Sequence, residues 1–168
     1  MTKDVEMTDT NMRQDLTLVF LRVCLGAIFI YHARMKLGWM EFSILWETDN
    51  LIHYTYTQLG PFIQLVSQTL SFLSPSQAEF MAIMAALVEY FAGWAILLGF
   101  LTRTAALLLC ILMTVAIYFH LPYGFNGAQG GFEWAMLCLA GSQSLLGGAG
   151  RFSIEGLISA ITTAESQA

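Results

Sequence analysis

Apolar residues run almost unbroken through four segments of the chain, and polar residues gather between these segments. A run of about 20 predominantly apolar residues is long enough to cross a lipid bilayer as a helix. Lipid requires a helix because it offers the backbone no other hydrogen-bond partners. The pattern therefore predicts an all-α membrane four-helix bundle with spans at residues 16–37, 79–101, 104–121 and 131–146.

The segments between the spans predict how the helices connect. Only Thr102, Arg103 and Thr104 separate the second span from the third, which predicts a tight helical hairpin. The sequence PYGFNGAQGG follows the third span and is rich in turn-forming residues. Residues 38–78 are predicted to be a long outer loop, in which residues 61–73 form an interfacial or re-entrant helix. A fifth span in that loop is the alternative.

The positions of lysine and arginine predict the orientation in the membrane. Residues 38–78 and 122–130 contain neither residue, whereas both terminal segments and the hairpin do. Basic residues favour the cytoplasmic side, so both termini are predicted to be cytoplasmic. Residues 1–15 are then a polar N-terminal tail, residues 16–150 the transmembrane domain and residues 151–168 a C-terminal tail.

Composition excludes several classes of protein. The chain has 168 residues, 57% hydrophobic and 11% charged, whereas soluble domains have about 25% charged residues. A net charge of −5 without a basic stripe excludes nucleic-acid binding. The first apolar run is too long for a signal peptide and follows an acidic segment, so we expect a retained anchor. The three cysteines form no C-x-x-C motif, and no metal site is expected.

Ionisable side chains inside the predicted spans are the candidates for function. Such a side chain costs about 2.5–3.5 kcal/mol on insertion, so its presence suggests a role. Histidine and glutamate suit proton transfer, and lysine and arginine suit anionic groups. The candidates for ligand or quinone binding, or for a proton relay, are Arg22, His32, Lys36, Glu89, His120 and Glu133.

Helical spacing indicates which of these residues face the bundle. Arg22 and Lys36 lie on one stripe of the first span. Glu89 lies on a stripe of small residues in the second span, and small residues mark close helix contacts in membranes. We therefore predict an Arg22–Glu89 ion pair and an inward-facing polar pocket near the outer face. The candidates for lining this pocket are Tyr90, Trp94, Tyr118 and Trp134.

Each candidate also has a purely structural interpretation. An Arg22–Glu89 pair could only hold two helices together, and His32 and His120 could be hydrogen-bonded core or interface histidines. Lys36, like its neighbour Arg34, could extend to lipid headgroups. The tryptophans could form the aromatic belt at the membrane surface. Convergence of several costly groups at one end of the bundle favours a functional site.

Three segments carry a resemblance to a known family. They are LRVCLGAIFIYHARMKLG in the first span, EYFAGWAILLGFLTR across the second span and hairpin, and GAGRFSIEG near the C-terminus. In this order they resemble the DoxX/DoxD family of small four-helix membrane proteins. The family pattern falls on Leu21, Arg22, Gly26, His32, Lys36, Leu37, Glu89, Gly93, Thr102, Arg103, Gly148, Gly150, Arg151, Ser153 and Glu155. Ala33 departs from the glycine of the family pattern, and Arg34 adds a charge.

The resemblance implies a function linked to oxidoreductases. DoxD-like members resemble a subunit of thiosulfate:quinone oxidoreductase, and other relatives are associated with redox-stress complexes or with assembly of membrane proteins. We therefore expect a multi-pass subunit of a quinone-associated oxidoreductase complex in a bacterial cytoplasmic (inner) membrane. The quinone would meet the histidines and the glutamates would pass protons. No flavin or iron–sulfur ligand pattern is visible, so we expect another subunit to carry the electron cofactor.

Two other functions stay open at this point. The chain could be a non-catalytic structural or assembly subunit of a larger membrane complex. It could also be a small ligand carrier or transporter, although four short helices leave little room for alternating access unless the protein oligomerises. Haem bound by His32 and His120 is not expected. Whether the chain is itself an enzyme, and through which catalytic residues, is left open by the sequence.

Overall fold

The computed structural model describes residues 2–40, 50–123 and 131–166. In these residues all regular structure is helical, in six α-helices and two short 3-10 helices. The α-helices are α1 (Thr2–Leu37), α2 (Leu51–Thr69), α3 (Pro75–Leu98), α4 (Thr102–His120), α5 (Gly131–Ser144) and α6 (Ile154–Glu165), and the 3-10 helices are Leu121–Tyr123 and Leu145–Gly147.

Three of the four predicted spans are confirmed as helices of membrane length. Met12–Leu37, Pro75–Leu98 and Thr102–His120 are long and apolar enough to cross a bilayer. The fourth predicted span, 131–146, forms only the 14-residue helix α5, which ends in a 3-10 turn. At 1.5 Å per residue α5 is about 21 Å long, which is less than the roughly 30 Å of a bilayer core. The prediction of a fourth span is therefore not confirmed by α5.

Both predicted tails contain helix. Helix α1 begins at Thr2 rather than at residue 16, because no glycine or proline interrupts the polar sequence before the first span. Helix α6 lies in the predicted C-terminal tail, where the Ser153 hydroxyl accepts a hydrogen bond from the Gly156 amide at 3.0 Å and caps the first turn. The N-terminal extension is thus a continuation of α1.

The predicted outer loop contains a 19-residue helix, α2. It starts ten residues before the predicted 61–73 segment, where the side chain of Asn50 accepts a hydrogen bond from the His53 amide. Leu59 and Val66 are buried, and Phe62 and Ile63 are half-buried between them, which is the spacing of one apolar helix face. The predicted 61–73 helix therefore overlaps the second half of α2, and the first half, residues 51–60, had been assigned to the loop. Residues 41–49 of the same predicted loop lie outside the described part.

The chain divides into two compact units. The middle unit consists of residues 28–91, and the N/C unit consists of residues 1–27 and 92–168. The core of the middle unit is formed by Leu37, Leu59 and Ala86. In the N/C unit α4 packs along α5.

Small residues allow close helix contact in the N/C unit. A Cβ atom on Gly26 would lie 2.9 Å from the carbonyl oxygen of Gly93 and 2.8 Å from the Cβ atom of Leu97. Neither distance leaves room for a side chain at residue 26. Gly26 and Gly93 are therefore a point of contact between α1 and α3.

Candidate functional site

The middle unit contains a buried ion pair between α1 and α3. The Nζ atom of Lys36 lies 2.6 Å from each carboxylate oxygen of Glu89. The Glu89 side chain is 6% exposed, whereas that of Lys36 is 25% exposed. Ala33 and Ala86 are fully buried one turn before the two charged residues, and such small side chains let helices approach closely. The carboxylate is therefore buried and its ammonium partner remains partly accessible.

Aromatic side chains lie beside this ion pair. The Nζ atom of Lys36 is 4.6 Å from the centroid of the Phe62 ring, which is a cation–π distance. The predicted lining residue Tyr90 packs edge-on against Trp39, with ring centroids 5.4 Å apart. The indole nitrogen of Trp39 donates a hydrogen bond to the Thr55 hydroxyl at 2.8 Å. These contacts fix an apolar wall next to the ammonium group.

His32 lies on the same side of α1 as Lys36 but on the surface of the middle unit. The His32 side chain is exposed and its ring contacts that of Tyr31 edge-on. Residues four apart on a helix have Cβ atoms about 5–6 Å apart, so His32 and Lys36 are neighbours. The prediction that His32 faces an inward pocket is wrong. Instead, His32, Lys36 and Glu89 form a row that runs from an exposed group to a buried one.

Arg34 caps the end of α1 and takes no part in this row. Its Nε atom donates to the carbonyl oxygen of Trp39 at 2.6 Å, and its Nη2 atom donates to that of Met40 at 2.5 Å. Helix α1 ends at Leu37 because Gly38 takes a positive φ of 73°, a conformation that favours glycine. Arg34 therefore stabilises carbonyl groups just beyond the helix end.

Arg22 and Glu89, which were predicted to pair, each have other partners. Arg22 is only 4% exposed and lies in the N/C unit, where its Nη2 atom donates a hydrogen bond to the carbonyl oxygen of Phe152 at 2.5 Å. Glu155 is close enough for its charge to act on the Arg22 guanidinium. Both carboxylate oxygens of Glu89 bind Lys36 instead. Arg22 is thus a docking residue for the C-terminal segment.

A polar cluster that the sequence did not predict surrounds this contact. One carboxylate oxygen of Glu155 accepts a hydrogen bond from the Thr102 amide at 2.7 Å, and the Glu155 amide donates to the Gly99 carbonyl oxygen at 3.1 Å. The buried carboxylate of Asp15 accepts from the Arg151 amide at 3.0 Å. The signal in the sequence was the segment GAGRFSIEG, which contributes Arg151 and Glu155 to this cluster. Asp15 had been assigned to the polar tail.

His120 and Glu133 lie in the N/C unit, in α4 and α5. The Nδ1 atom of His120 lies 2.7 Å from the Ala116 carbonyl oxygen, so that nitrogen carries the proton, because a carbonyl only accepts. Gly131 packs against the opposite, Nε2 edge of the same ring. Glu133 is half-buried in the first turn of α5.

Two of the other predicted lining residues are mainly exposed. Tyr118 is 55% exposed and Trp134 is 62% exposed, which matches the aromatic-belt interpretation better than a pocket. Trp94 is half-buried in the N/C unit. Of the four predicted aromatic residues, only Tyr90 belongs to the unit that holds the Lys36–Glu89 pair.

A surface groove of 290 Å³ lies elsewhere in the middle unit. Its walls are Leu73, Ser76, Gln77, Phe80 and Met81, and none of these is a predicted site residue. Across residues 2–40, 50–123 and 131–166, no three histidine, cysteine, aspartate or glutamate side chains come together as a metal site. The row of His32, Lys36 and Glu89 is therefore the candidate site with the clearest geometry.

Comparison with known proteins identifies the family. The model of the DoxX family matches residues 17–121, which includes most of α1 and all of α2, α3 and α4. The GAGRFSIEG segment lies beyond this match. No curated protein matches the chain, and no solved structure does. Because the family model covers more than half of the sequence, this membrane protein belongs to the DoxX family.

Proposed function

We propose that the protein is an integral membrane subunit of a quinone-associated oxidoreductase complex, and that His32, Lys36 and Glu89 form its quinone-headgroup site. The observation that carries this proposal is the graded exposure of the three side chains. His32 is exposed, Lys36 is 25% exposed and Glu89 is 6% exposed. A group arriving from the lipid would meet the histidine first and the ion pair behind it.

The chemistry of a quinone fits these residues. Reduction of a quinone to a quinol consumes two electrons and two protons, and both quinone oxygens accept hydrogen bonds. His32 can donate such a bond through a ring N–H. Lys36 can donate a second, since its ammonium group has three N–H bonds. Glu89 then holds Lys36 in place, and the electrons are supplied by a partner protein of the oxidoreductase class.

The aromatic wall supports the same site. Phe62 lies against the Lys36 ammonium, and Trp39 is fixed by its bond to Thr55. Ligand sites combine apolar and aromatic walls with a few placed polar groups. The middle unit supplies both features close together.

Quenching of tryptophan fluorescence tests quinone binding directly. A short-chain benzoquinone is titrated into the purified protein in detergent, and the wild type should show saturable quenching above the linear background. His32→Ala and Lys36→Met should lose the saturable part. The matched controls are His53→Ala, an exposed histidine of α2, and Glu79→Gln, a half-buried glutamate of α3. Equal saturable quenching in all five proteins would overturn the proposed site.

Activity in the native membrane tests the redox role. We expect His32→Ala and Glu89→Gln to abolish quinone reduction by the complex without preventing membrane insertion of the chain. Quinone reduction at the wild-type rate in both variants would contradict the proposed function. Affinity purification in mild detergent should recover an oxidoreductase in stoichiometric amount.

A structural or assembly role is the second candidate. Its support is that Glu89 commits both oxygens to Lys36 and that Arg22 binds the chain's own backbone. Both contacts hold helices and segments together without a ligand. Recovery of a large membrane complex of another function, with unchanged quinone reduction in both site variants, would favour this role. Recovery of the chain alone would favour a small ligand carrier or transporter.

The orientation stays a prediction within this proposal. With both termini cytoplasmic in a bacterial inner membrane, the end of α1 that carries His32 and Lys36 lies at the outer face. Gln64 is an exposed residue of α2. In the variant Gln64→Cys, a membrane-impermeant thiol reagent should then label residue 64 from the outside only. Labelling from the cytoplasmic side would show that the topology is the reverse of the predicted one.

A further inference from the structure

We propose that α6 is an interfacial helix that lies in the plane of the membrane surface, with its apolar face against uncharged parts of the lipids. The proposal does not depend on the quinone site, because it concerns a different unit of the molecule. It rests on the apolar face of α6, on where the helix begins and on its charges.

The apolar face of α6 is largely exposed. Ile154, Leu157, Ile158 and Ile161 follow the i, i+3, i+4, i+7 spacing of one helix face. They are between 37% and 61% exposed, and α6 buries none of its residues. The opposite face carries serine and threonine, so α6 is amphipathic. Its apolar side can therefore contact lipid.

The start of α6 is fixed at the boundary of two membrane spans. Span α3 ends at Leu98, and span α4 begins at Thr102. Glu155, in the first turn of α6, binds the Gly99 carbonyl oxygen through its amide and the Thr102 amide through its carboxylate. Helix α6 therefore begins at the level where the α3–α4 hairpin leaves the hydrocarbon region.

Apolar surface continues from the spans to this point. Leu98, Phe100 and Leu101 of the hairpin are 47% to 55% exposed, and Phe152, just before α6, is 56% exposed. Exposed apolar side chains therefore flank both parts of the contact between the hairpin and the start of α6. The continuity favours lipid over a protein as the occupant of that face.

Length and charge define the kind of membrane contact. Twelve residues form a helix about 18 Å long, which is too short to cross a bilayer core. Residues 154–165 contain two glutamates and no lysine or arginine. Helix α6 itself therefore offers no basic side chain to anionic headgroups, and burial of its apolar face supplies its binding energy. The occupant is the interfacial region of neutral, zwitterionic lipids.

Spin-label accessibility tests this placement in full-length protein. The three native cysteines are replaced by alanine, and single cysteines are introduced on the apolar face (Leu157, Ile158, Ile161) and on the polar face (Ser159, Thr162, Thr163). Each label is measured in phosphatidylcholine bilayers for collision with oxygen and with a water-soluble nickel complex. Unchanged thermal unfolding shows which labelled proteins are folded.

We expect a periodic result. Labels on the apolar face should collide mainly with oxygen and lie about 5–10 Å below the headgroup boundary, whereas labels on the polar face should collide mainly with nickel. Neither high salt nor added phosphatidylglycerol should deepen the helix. Collision with nickel at all six positions would show that α6 lies in water. Shielding of the labels from both oxygen and nickel would show that a protein covers the helix. Either result, or a depth that requires anionic lipid, overturns the proposal.

A second measurement keeps the native cysteines. Leu157→Trp and Thr162→Trp are compared in bilayers that contain brominated phosphatidylcholine, with the wild type as the background. The fluorescence of the introduced tryptophan, above the wild-type background, should be quenched strongly at residue 157 and weakly at residue 162. Equal quenching at the two positions would contradict an interfacial helix.

Discussion

Helix α1 contributes a buried or partly buried cation to each unit of the molecule, and the two cations are stabilised in different ways. In the middle unit, Lys36 binds both oxygens of one carboxylate, Glu89. In the N/C unit, Arg22 donates to the backbone carbonyl of Phe152 and lies near Glu155. The first arrangement joins two spans directly. The second attaches the segment that precedes α6, so a charge in a span determines where the C-terminal segment lies.

The comparison shows how the choice of cation follows the partner. A lysine ammonium is compact and can bind between two oxygens of one carboxylate, whereas the planar guanidinium of arginine directs several donors into fixed positions. Lys36 remains 25% exposed beside a carboxylate that is 6% exposed. Arg22 is 4% exposed as a whole residue. The four predictions below test these differences, beginning with the largest expected effect.

Breaking the ion pair from its lysine side should have the largest effect on stability. Lys36→Met leaves Glu89 buried without its cation, and we expect a loss of about 3 kcal/mol in the free energy of unfolding. Glu89→Gln should cost less, because the Lys36 ammonium left behind is partly accessible. The measurement is unfolding in detergent micelles titrated with SDS. The double variant Lys36→Met/Glu89→Leu should recover most of the loss, and equal losses in all three variants would contradict the pairing.

Replacing the guanidinium in the N/C unit should have the next largest effect. Arg22→Lys removes the planar group that reaches the Phe152 carbonyl, and a hydrogen bond to a charged group contributes about 2 kcal/mol. The matched control is Arg103→Lys, because Arg103 is exposed and donates to the Gly147 carbonyl oxygen at 3.1 Å. We expect the control to change stability by less than about 0.5 kcal/mol in the same SDS titration. Similar losses in the two variants would show that Arg22 is no special docking residue.

A glycine beside Arg22 provides a smaller test. Gly99 has a positive φ of 68°, and an added Cβ atom would collide with the Arg22 guanidinium. Gly99→Ala should cost about 1–2 kcal/mol from its backbone conformation alone. Gly147→Ala is the control, since nothing lies within 4 Å of its added Cβ atom. Limited proteolysis should release the C-terminal segment faster in Gly99→Ala than in Gly147→Ala; equal rates would contradict tight packing at Gly99.

The smallest effect concerns a tyrosine at the surface of the middle unit. A hydrogen bond to Glu79 and the negative charge of that carboxylate raise the pKa of the Tyr56 hydroxyl above its ordinary value, which is about 10. The contact is present below that pH and is lost as the pH rises through the raised pKa. Because Tyr56 is 46% exposed, the change in stability should be slight.

Tyrosinate absorbance against pH measures this shift. The difference between the wild type and Tyr56→Phe should titrate above the ordinary tyrosine pKa. In a Glu79→Gln background the same difference should move back toward the ordinary value. A difference curve that is the same in both backgrounds would show that Glu79 does not hold Tyr56.

Much of the secondary structure could be predicted from the sequence, and less of the site. Apolar runs predicted the helices of the first three spans, and the three residues from Thr102 to Thr104 predicted the hairpin. Only the second half of α2 was predicted, as the 61–73 helix, because the residues before Pro61 are too polar to show an apolar run, although Leu59 and Val66 bury one face of the whole helix. The polar stretch before residue 16 was assigned to a tail, because composition does not show whether a polar segment continues a helix.

The partner of Glu89 illustrates what periodicity leaves undecided. Arg22 and Lys36 lie on one stripe of α1 and are 14 residues apart, which is about 21 Å along a helix. Spacing shows that both can face inward, but it does not give the axial position of α3 against α1. The packing of Leu37 with Ala86 in one core, with Phe62 against it, determines that position. Lys36 is therefore the cation that meets the carboxylate.

The sequence by itself determined that this is a helical membrane protein with costly charges in its spans and a resemblance to the DoxX family. Those properties depend on residue type, on run length and on a helical period, all of which are local. Only the tertiary structure decided that His32 is exposed, that Lys36 binds Glu89 and that Arg22 holds the C-terminal segment. Each of these contacts joins residues far apart in the chain or depends on how a helix is rotated. The pairing of distant residues and the rotation of each helix about its axis both result from side-chain packing. A linear pattern of residues does not contain that information.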